Sequence, residues 1–275
     1  MPLSYIFSTF HALRLWLLQS VPHTPPPLLP QFYGAWTETQ QAIVSDFITG
    51  IGSTKWFNII ASYFQTDSSG KNRTYVTGPL TLNKTLTDTT YGGGKNLTRT
   101  EMRNIVLNAV RNSQLPALSN AMYLILASPE VSSVASGQLS CKDYASSRMS
   151  ATYNTTGTAA DTSSTILEVS LIHNMVNCSA YASVLNSEFK PSCNGDAGVD
   201  MLVNYIARTF ANMITAPSGL NSQSAWEDAE GNTAGGNGTY TISLFECIAL
   251  AFWYRLCLQS YNGFEDRWRL SLSLF

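Results

Sequence analysis

Apolar residues recur at Val199, Leu202, Val203, Ile206, Phe210 and Met213, the spacing of one face of a 3.6-residue helix. A face that long and that apolar must be covered, so Asp196 to Pro217 reads as a long buried helix. Asn204, Arg208 and Asn212, each four apart, form a second, polar stripe along it. A pair at that spacing is how a zincin helix offers two ligands to one zinc ion. Arginine cannot fill that role, because its guanidinium stays protonated and offers donors only. At the start of the helix, Asp196 or Asp200 is expected to cap its positive N-terminal end rather than hold calcium.

The rest of the chain mixes both periodicities. Thr37 and Gln40 form a capping-box pattern ahead of Ile43, Val44, Phe47, Ile48 and Ile51, which predicts a helix from Glu38 to the glycines Gly50 and Gly52. Trp56, Ile59, Ile60, Tyr63 and Phe64 predict a second helix. RTYVTGPLTL predicts two short strands broken at Gly78-Pro79. Thr98 and Glu101 repeat the capping box and open a third helix through Val110. Met122 to Ala127 is almost wholly apolar, as a central strand buried on both faces should be. Ser132 to Ser164, rich in Ser, Thr and Ala, is expected to be a surface loop, and Ile166 to Val176 a further strand.

Charged residues make up only 12% of the 275, against about 25% in an ordinary soluble domain, and the net charge is −2. No basic run or aromatic-basic interleaving occurs, which argues against nucleic acid and anionic membrane surfaces as partners. Low charge with abundant Ser, Thr, Asn and Gly suits a secreted glycoprotein. N-x-[ST] sequons at Asn72, Asn83, Asn96, Asn154, Asn177 and Asn237 are the candidate attachment points.

Specific segments carry a family resemblance. FYGAW with the following TETQQAIVSDFI (Phe32 to Ile48), YGGGKNLT (Tyr91 to Thr98), MYLILASPEV (Met122 to Val131) and DAGVD opening the long helix stand in order. Together they resemble the secreted, phosphate-induced, EXORDIUM-like family over roughly residues 31 to 235. The resemblance implies an extracellular or cell-wall protein tied to growth and nutrient responses. Many members carry HELxE in the helix; aligned without gaps, this chain has Arg208 for the His, Thr209 for the first Glu and Asn212 for the second. A downstream family segment is also altered, with AWEDAEGNTAGG (Ala225 to Gly236) placing Thr233 and Ala234 near the position of its Glu. The fold expected is α/β, a mixed central sheet flanked by helices, zincin-like by this analogy alone.

The family's cysteines fall where Cys141, Cys178 and Cys193 stand. A bridge from Cys178 to Cys193 would close a short loop and contribute on the order of 3 kcal/mol. Free thiols are the alternative, and the absence of C-x-x-C argues against a zinc ribbon or a redox site.

The expected layout is residues 1–30 as a degenerate signal peptide with a Pro-rich linker, 31–240 as the family domain, and 241–275 as a divergent tail. His11 and Arg14 interrupt the apolar run at the start, and Pro22 to Pro30 replaces a small-residue cleavage site. Ile242 to Leu258 is apolar but contains Glu246 and Arg255, so it reads as a buried helix rather than a membrane span of about 20 apolar residues.

The remaining chemistry is weighed residue by residue. Of the three histidines only His173 lies inside the domain, in an apolar run where a satisfied core histidine is expected before a ligand. Gly92, Gly93, Gly94 and Lys95 lack the Gly that a phosphate loop needs at position 89, which is Thr89. Tyr33, Trp36 and Trp226 are expected to pack the core or loops before they stack on sugars. No G-x-S-x-G elbow occurs. The sequence therefore reads as a non-catalytic, extracellular binding or signalling protein without cofactor or metal. Its expected partner is an extracellular protein or a cell-wall polysaccharide. A metal-dependent hydrolase with an unconventional zincin site is the alternative.

Overall fold

The computed structural model describes residues 26–61, 64–66, 71–154, 164–189 and 192–215. The chain runs β1 (Pro27–Tyr33), α1 (Glu38–Ile51), α2 (Lys55–Ile60), β2 (Phe64–Thr66), β3 (Arg73–Tyr75), β4 (Thr81–Leu82), β5 (Leu86–Asp88) and β6 (Asn96–Thr98). It continues through α3 (Arg99–Arg111), β7 (Met122–Ala127), β8 (Ser132–Ala135), β9 (Gln138–Leu139), β10 (Ser146–Asn154), β11 (Ser164–His173), α4 (Ala182–Glu188) and α5 (Ala197–Thr215).

The main sheet is ordered β10-β11-β7-β1, with β4 and then β5 paired end to end along the far side of β1. All neighbours are parallel except β10, which runs antiparallel to β11. Successive side chains of β1 and β7 point to opposite faces. Leu28, Phe32, Met122, Leu124 and Leu126 join the core beneath α1, α2, α4 and α5. Leu29, Tyr33, Tyr123, Ile125 and Ala127 join the core beneath α3. This is the expected mixed sheet with helices on both sides, and it explains why β7 is apolar at every position.

Local signals account for the helices. Thr37 Oγ1 accepts the Gln40 N–H and Gln40 Oε1 accepts the Thr37 N–H, so the capping box of α1 is complete. Thr98 and Glu101 do the same for α3. Each such cap contributes about 1 kcal/mol. In α5, Val199, Leu202, Val203, Ile206 and Phe210 are buried as their spacing demands.

Four expectations need correction. Pro27 to Pro30, read as linker, form the first half of β1; Pro30 falls where the partner strand changes from β4 to β5, so its missing N–H coincides with a break in the ladder. The second helix stops at Ile60, and Phe64 opens β2 instead. Ser132 to Ser164, read as loop, contains β8, β9 and the nine-residue β10. The apolar signal there is only Met149 and Ala151, which face the α3 core, and Arg99 and Arg103 of α3 donate to the Arg148 and Ser150 carbonyls of that strand. Finally, Cys178 is bridged to Cys141, not to Cys193. Antiparallel pairing of Ser146 with Ile172 brings the approach to β10 and the exit of β11 to one end of the sheet, where both cysteines sit. Cys193 is disulfide-bonded as well.

The expected strand at Ile166 to Val176 is β11, ending at His173. Residues 1–25 and the segment from Ala216 onward, with Trp226, Asp228, Asn237, Cys247 and the Ile242 to Leu258 run, lie outside the described residues. Among the described residues no helix is long and apolar enough to cross a membrane.

Candidate functional site

From β1 the chain passes through α1 and α2 to β4 and β5 on one side, then returns through α3 to β7 on the other. The crossovers leave in opposite directions, which places a topological switch point at the carboxyl ends of β1 and β7, where sheets of this kind usually form a ligand crevice. Phe32–Trp36, Tyr91–Lys95 and Ser128–Glu130 are joined there by hydrogen bonds, and Asp196 at the start of α5 reaches Gln40 of α1.

Glu130 is the hub. Its Oε1 accepts from the Ala35 N–H at 2.9 Å, the Tyr91 hydroxyl at 2.5 Å and the Ser128 hydroxyl at 2.7 Å. Burial works to raise its pKa, but the donors, led by Tyr91, outweigh it and hold the carboxyl at about 2. The same bond raises the Tyr91 phenol, first through its hydrogen bond to Glu130. Glu130 is thus a permanent anion that organises the crevice, not an acid poised near neutrality.

Gly34 has φ +101°, and a Cβ there would lie 1.9 Å from Ser128 Oγ. Only glycine lets β1 leave the sheet this close to the β7 turn. Tyr33 donates to the Gly94 carbonyl at 2.7 Å and accepts the Gly93 N–H at 2.8 Å, so the glycines expected to form a turn are clasped by a buried phenol. Burial raises the pKa of that phenol, against the Gly93 bond. Lys95 Nζ lies 4.4 Å from the Tyr91 ring centre, a cation–π contact. Trp36, half-buried, donates from Nε1 to the Leu126 carbonyl at 3.1 Å. Tyr33 and Trp36 therefore pack and orient, as expected.

Asp196 caps α5 through the Val199 N–H at 3.0 Å and accepts from the Gln40 side chain at 2.7 Å. Asp200, fully buried, instead accepts from Ser192, the Cys193 N–H and Asn194, tying down the preceding loop. Both carboxylates are satisfied by protein donors.

On α5, Thr209 is buried, while Asn204, Arg208 and Asn212 are half-buried. Arg208 lies close enough to Tyr181 to lower its pKa, although burial wins and the phenol is raised. The Asn212 carbonyl accepts from the Arg148 guanidinium at 2.8 Å. A zinc ion does not fit a stripe whose central group is a cation and whose neighbours are amides. No cluster of three or more His, Cys, Asp or Glu that could hold a metal occurs among the described residues.

His173 ends β11 and is 1% exposed, as is Ser133. A ring N–H donates to the Val131 carbonyl, so Nε2, 2.7 Å from Ser133 Oγ, is the acceptor of that hydroxyl, and Tyr144 bonds Ser133 in turn. Burial holds His173 at about pKa 4, hence neutral. Sealed from solvent, this Ser–His pair is the satisfied core histidine that the sequence suggests.

A residue that sequence reasoning passed over is Gln31. It points to the α3 face in line with Leu29 and Tyr33, is 4% exposed, and lines a polar cavity beside α3. The only signal is an amide inside the apolar run PLLPQFY. The sequon asparagines Asn72, Asn83, Asn96, Asn154 and Asn177 are all exposed.

The family model for the phosphate-induced protein 1 conserved region matches residues 27–235. The chain is similar to Protein EXORDIUM-like 3 of Arabidopsis thaliana, 29% identical over 113 residues, which are 37% of this chain and 32% of that protein. It is also similar to Protein EXORDIUM-like 5 of the same plant, 28% identical over 109 residues, 36% of this chain and 29% of that protein. The matched stretches thus span about a third of the length of these relatives. No solved structure matches.

Proposed function

The chain belongs to the phosphate-induced protein 1 family, whose conserved region it carries over residues 27–235, and on that basis we propose that it is a secreted glycoprotein acting as a non-catalytic binding or signalling protein. Its place of work is the extracellular space or cell wall, in growth or nutrient responses, with an extracellular protein or a wall polysaccharide as partner. The carrying observation is that three motif segments join at the carboxyl ends of β1 and β7 and that the ionisable groups there are consumed in holding them together. Glu130 is locked as an anion by three donors, and His173 is sealed in the core. Surface exposure of five sequon asparagines and the Cys141–Cys178 bridge support passage through an oxidising, glycosylating compartment.

The zincin-like hydrolase reading is disfavoured by Arg208, Thr209 and Asn212 at the positions that would hold metal and base. The test is to express the full chain through the secretory pathway of plant cells. The secreted protein should shift in mass on removal of N-glycans and hold no stoichiometric zinc. Recovery of unglycosylated protein would overturn the extracellular reading. Stoichiometric zinc lost on mutating His173, Asp228 or Glu230 would overturn the non-catalytic one.

A further inference from the structure

Beside α3 lies a cavity of about 600 Å³, within the range of ligand pockets. Its floor is Gln31, whose side-chain oxygen is buried without a hydrogen-bond partner among the described residues. A buried acceptor left unmade is costly, and a central strand would default to an apolar residue at this position. One wall carries a ladder of exposed amides, Asn104 and Asn108 about one turn apart on α3 and Asn112 at its C-cap. Leu86, Ile105 and Ala109 add a small apolar surface.

We propose that this groove binds a short segment of a neutral, hydroxyl-rich polysaccharide, with Gln31 reading one hydroxyl at its base and the asparagine ladder reading successive sugar units. The assignment rests on the extracellular role proposed above and names its partner. Amides donate and accept at once, as sugar hydroxyls do. Among the described residues no lysine or arginine lines the groove, the Arg111 guanidinium on this wall being turned to Asn108 Oδ1, and Asp88 and Glu101 on its rim repel polyanions. Those two carboxylates are occupied, Asp88 by Thr90 and Gly92 and Glu101 by the cap of α3, and Asn108 Oδ1 accepts from Arg111, which leaves Gln31, Asn104, Asn112 and the Asn108 amino group as the recognising groups. Asn104 and Asn108, four residues apart, are spaced by about 6 Å along the helix axis. An extended peptide would want apolar pockets for its facing side chains, and this lining is mostly polar.

The full chain, secreted and isotope-labelled, is titrated with cellohexaose, mannohexaose and xylohexaose. Oligogalacturonate and an unstructured hexapeptide serve as controls. The side-chain amide signal of Gln31 is expected to shift with at least one neutral hexasaccharide at a Kd of about 1 mM or tighter and with neither control. Gln31→Leu should fold with an unchanged or higher melting midpoint and bind at least tenfold more weakly. Should that variant unfold, the double variant Asn104→Ala with Asn108→Ala, on an exposed helix face, must show the same loss. The proposal fails if none of the three sugars moves the Gln31 amide, if a control moves it equally, or if both variants bind like the parent. Because glycan attachment is read separately by mass, a glycosylated chain that ignores the sugars refutes the groove alone. An unglycosylated one refutes the extracellular role.

Discussion

The side chains of Gln40 and Asp196, 156 residues apart in sequence, are joined by a 2.7 Å hydrogen bond, and each also serves the N-terminus of its own helix. Gln40 Oε1 holds the Thr37 N–H while its Nε2 reaches Asp196; Asp196 Oδ1 holds the Val199 N–H while Oδ2 receives Gln40. One amide and one carboxylate thereby lock two helix starts together beside the crevice. Gln40→Ala is expected to destabilise the protein by about 1–3 kcal/mol in urea denaturation. Gln40→Glu should be worse than Gln40→Ala, because it sets a second carboxylate against Asp196. A double-mutant cycle with Asp196→Ala should show coupling of at least about 0.5 kcal/mol; additivity would show that the contact contributes nothing.

How much of this was legible in the sequence depends on range. The capping boxes at Thr37 and Thr98, the apolar periodicity of α5 and the six-residue run of β7 are local patterns, and the structure contains them all. The Asp196 cap was legible for the same reason. What Glu130 does was not, because its donors come from Ala35 and Tyr91, 95 and 39 residues away, and meet it only after the strands register. Gln31 was passed over because it follows a Pro-rich stretch read as linker, and its meaning appears once α3 places asparagines beside it. β10 escaped because small polar residues fill it and arginines from another element complete its outer edge.

Gly34 and Gly94 both have positive φ, but only at Gly34 would a Cβ meet another atom, Ser128 Oγ, while at Gly94 nothing lies within 4 Å. Alanine at either position bears the left-handed backbone penalty of about 1 kcal/mol. Gly34→Ala must in addition push the β7 turn away and loosen Glu130. It should therefore be the more destabilising of the two by at least about 1 kcal/mol, and the Ala35 amide should lose protection in hydrogen exchange. Equal effects in the two variants would mean that the close approach is unimportant.

Two buried or bonded groups set separate acid windows. His173 is depressed from its ordinary 6.5 to about 4, so its neutral form stabilises the fold above pH 6.5, and that contribution is lost as pH falls toward 4. The loss is on the order of 3 kcal/mol. Glu130 is depressed from 4.5 to about 2, so its contribution is complete above pH 4.5 and disappears as pH falls through 2. Its carboxylate is mostly exposed, and solvent screening keeps that contribution modest. Urea midpoints measured from pH 8 to pH 2.5 should fall in both windows. His173→Gln should flatten the upper limb and Glu130→Gln the lower one. A variant that flattened the other's limb would contradict these assignments.

The Cys141–Cys178 bridge closes a loop with a sequence separation of 37, which contains β10, β11 and their link. Restricting that loop in the unfolded chain is expected to contribute about 2–4 kcal/mol. Cys141→Ser with Cys178→Ser should lower the unfolding free energy by that amount. A non-reducing peptide map should yield a Cys141–Cys178 fragment. A Cys178–Cys193 fragment would refute the pairing. Because the exposed Asn177 adjoins the bridged Cys178, its glycan occupancy should rise when the bridge is removed and the segment can open to the transferase.

Among the described residues β10 is the edge strand of the sheet, and an edge strand whose carbonyls are left bare invites a second chain. Arg99 and Arg103, four apart on α3, donate to the carbonyls of Arg148 and Ser150, two apart on β10, at 2.8 and 2.9 Å. Helix and strand periodicities nearly coincide there, since four helical residues rise about 6 Å and two strand residues about 6.6 Å. Replacing both arginines by alanine removes two charged donors from half-buried carbonyls, for a loss of about 2–4 kcal/mol, and uncovers the edge. The double variant should therefore be both less stable and more prone to associate. Light scattering at rising concentration checks the second effect independently of the first. Lysine at both positions keeps the charge but not the planar fork and should recover only part of the stability. Full recovery with lysine would mean that net charge, not carbonyl capping, protects the edge.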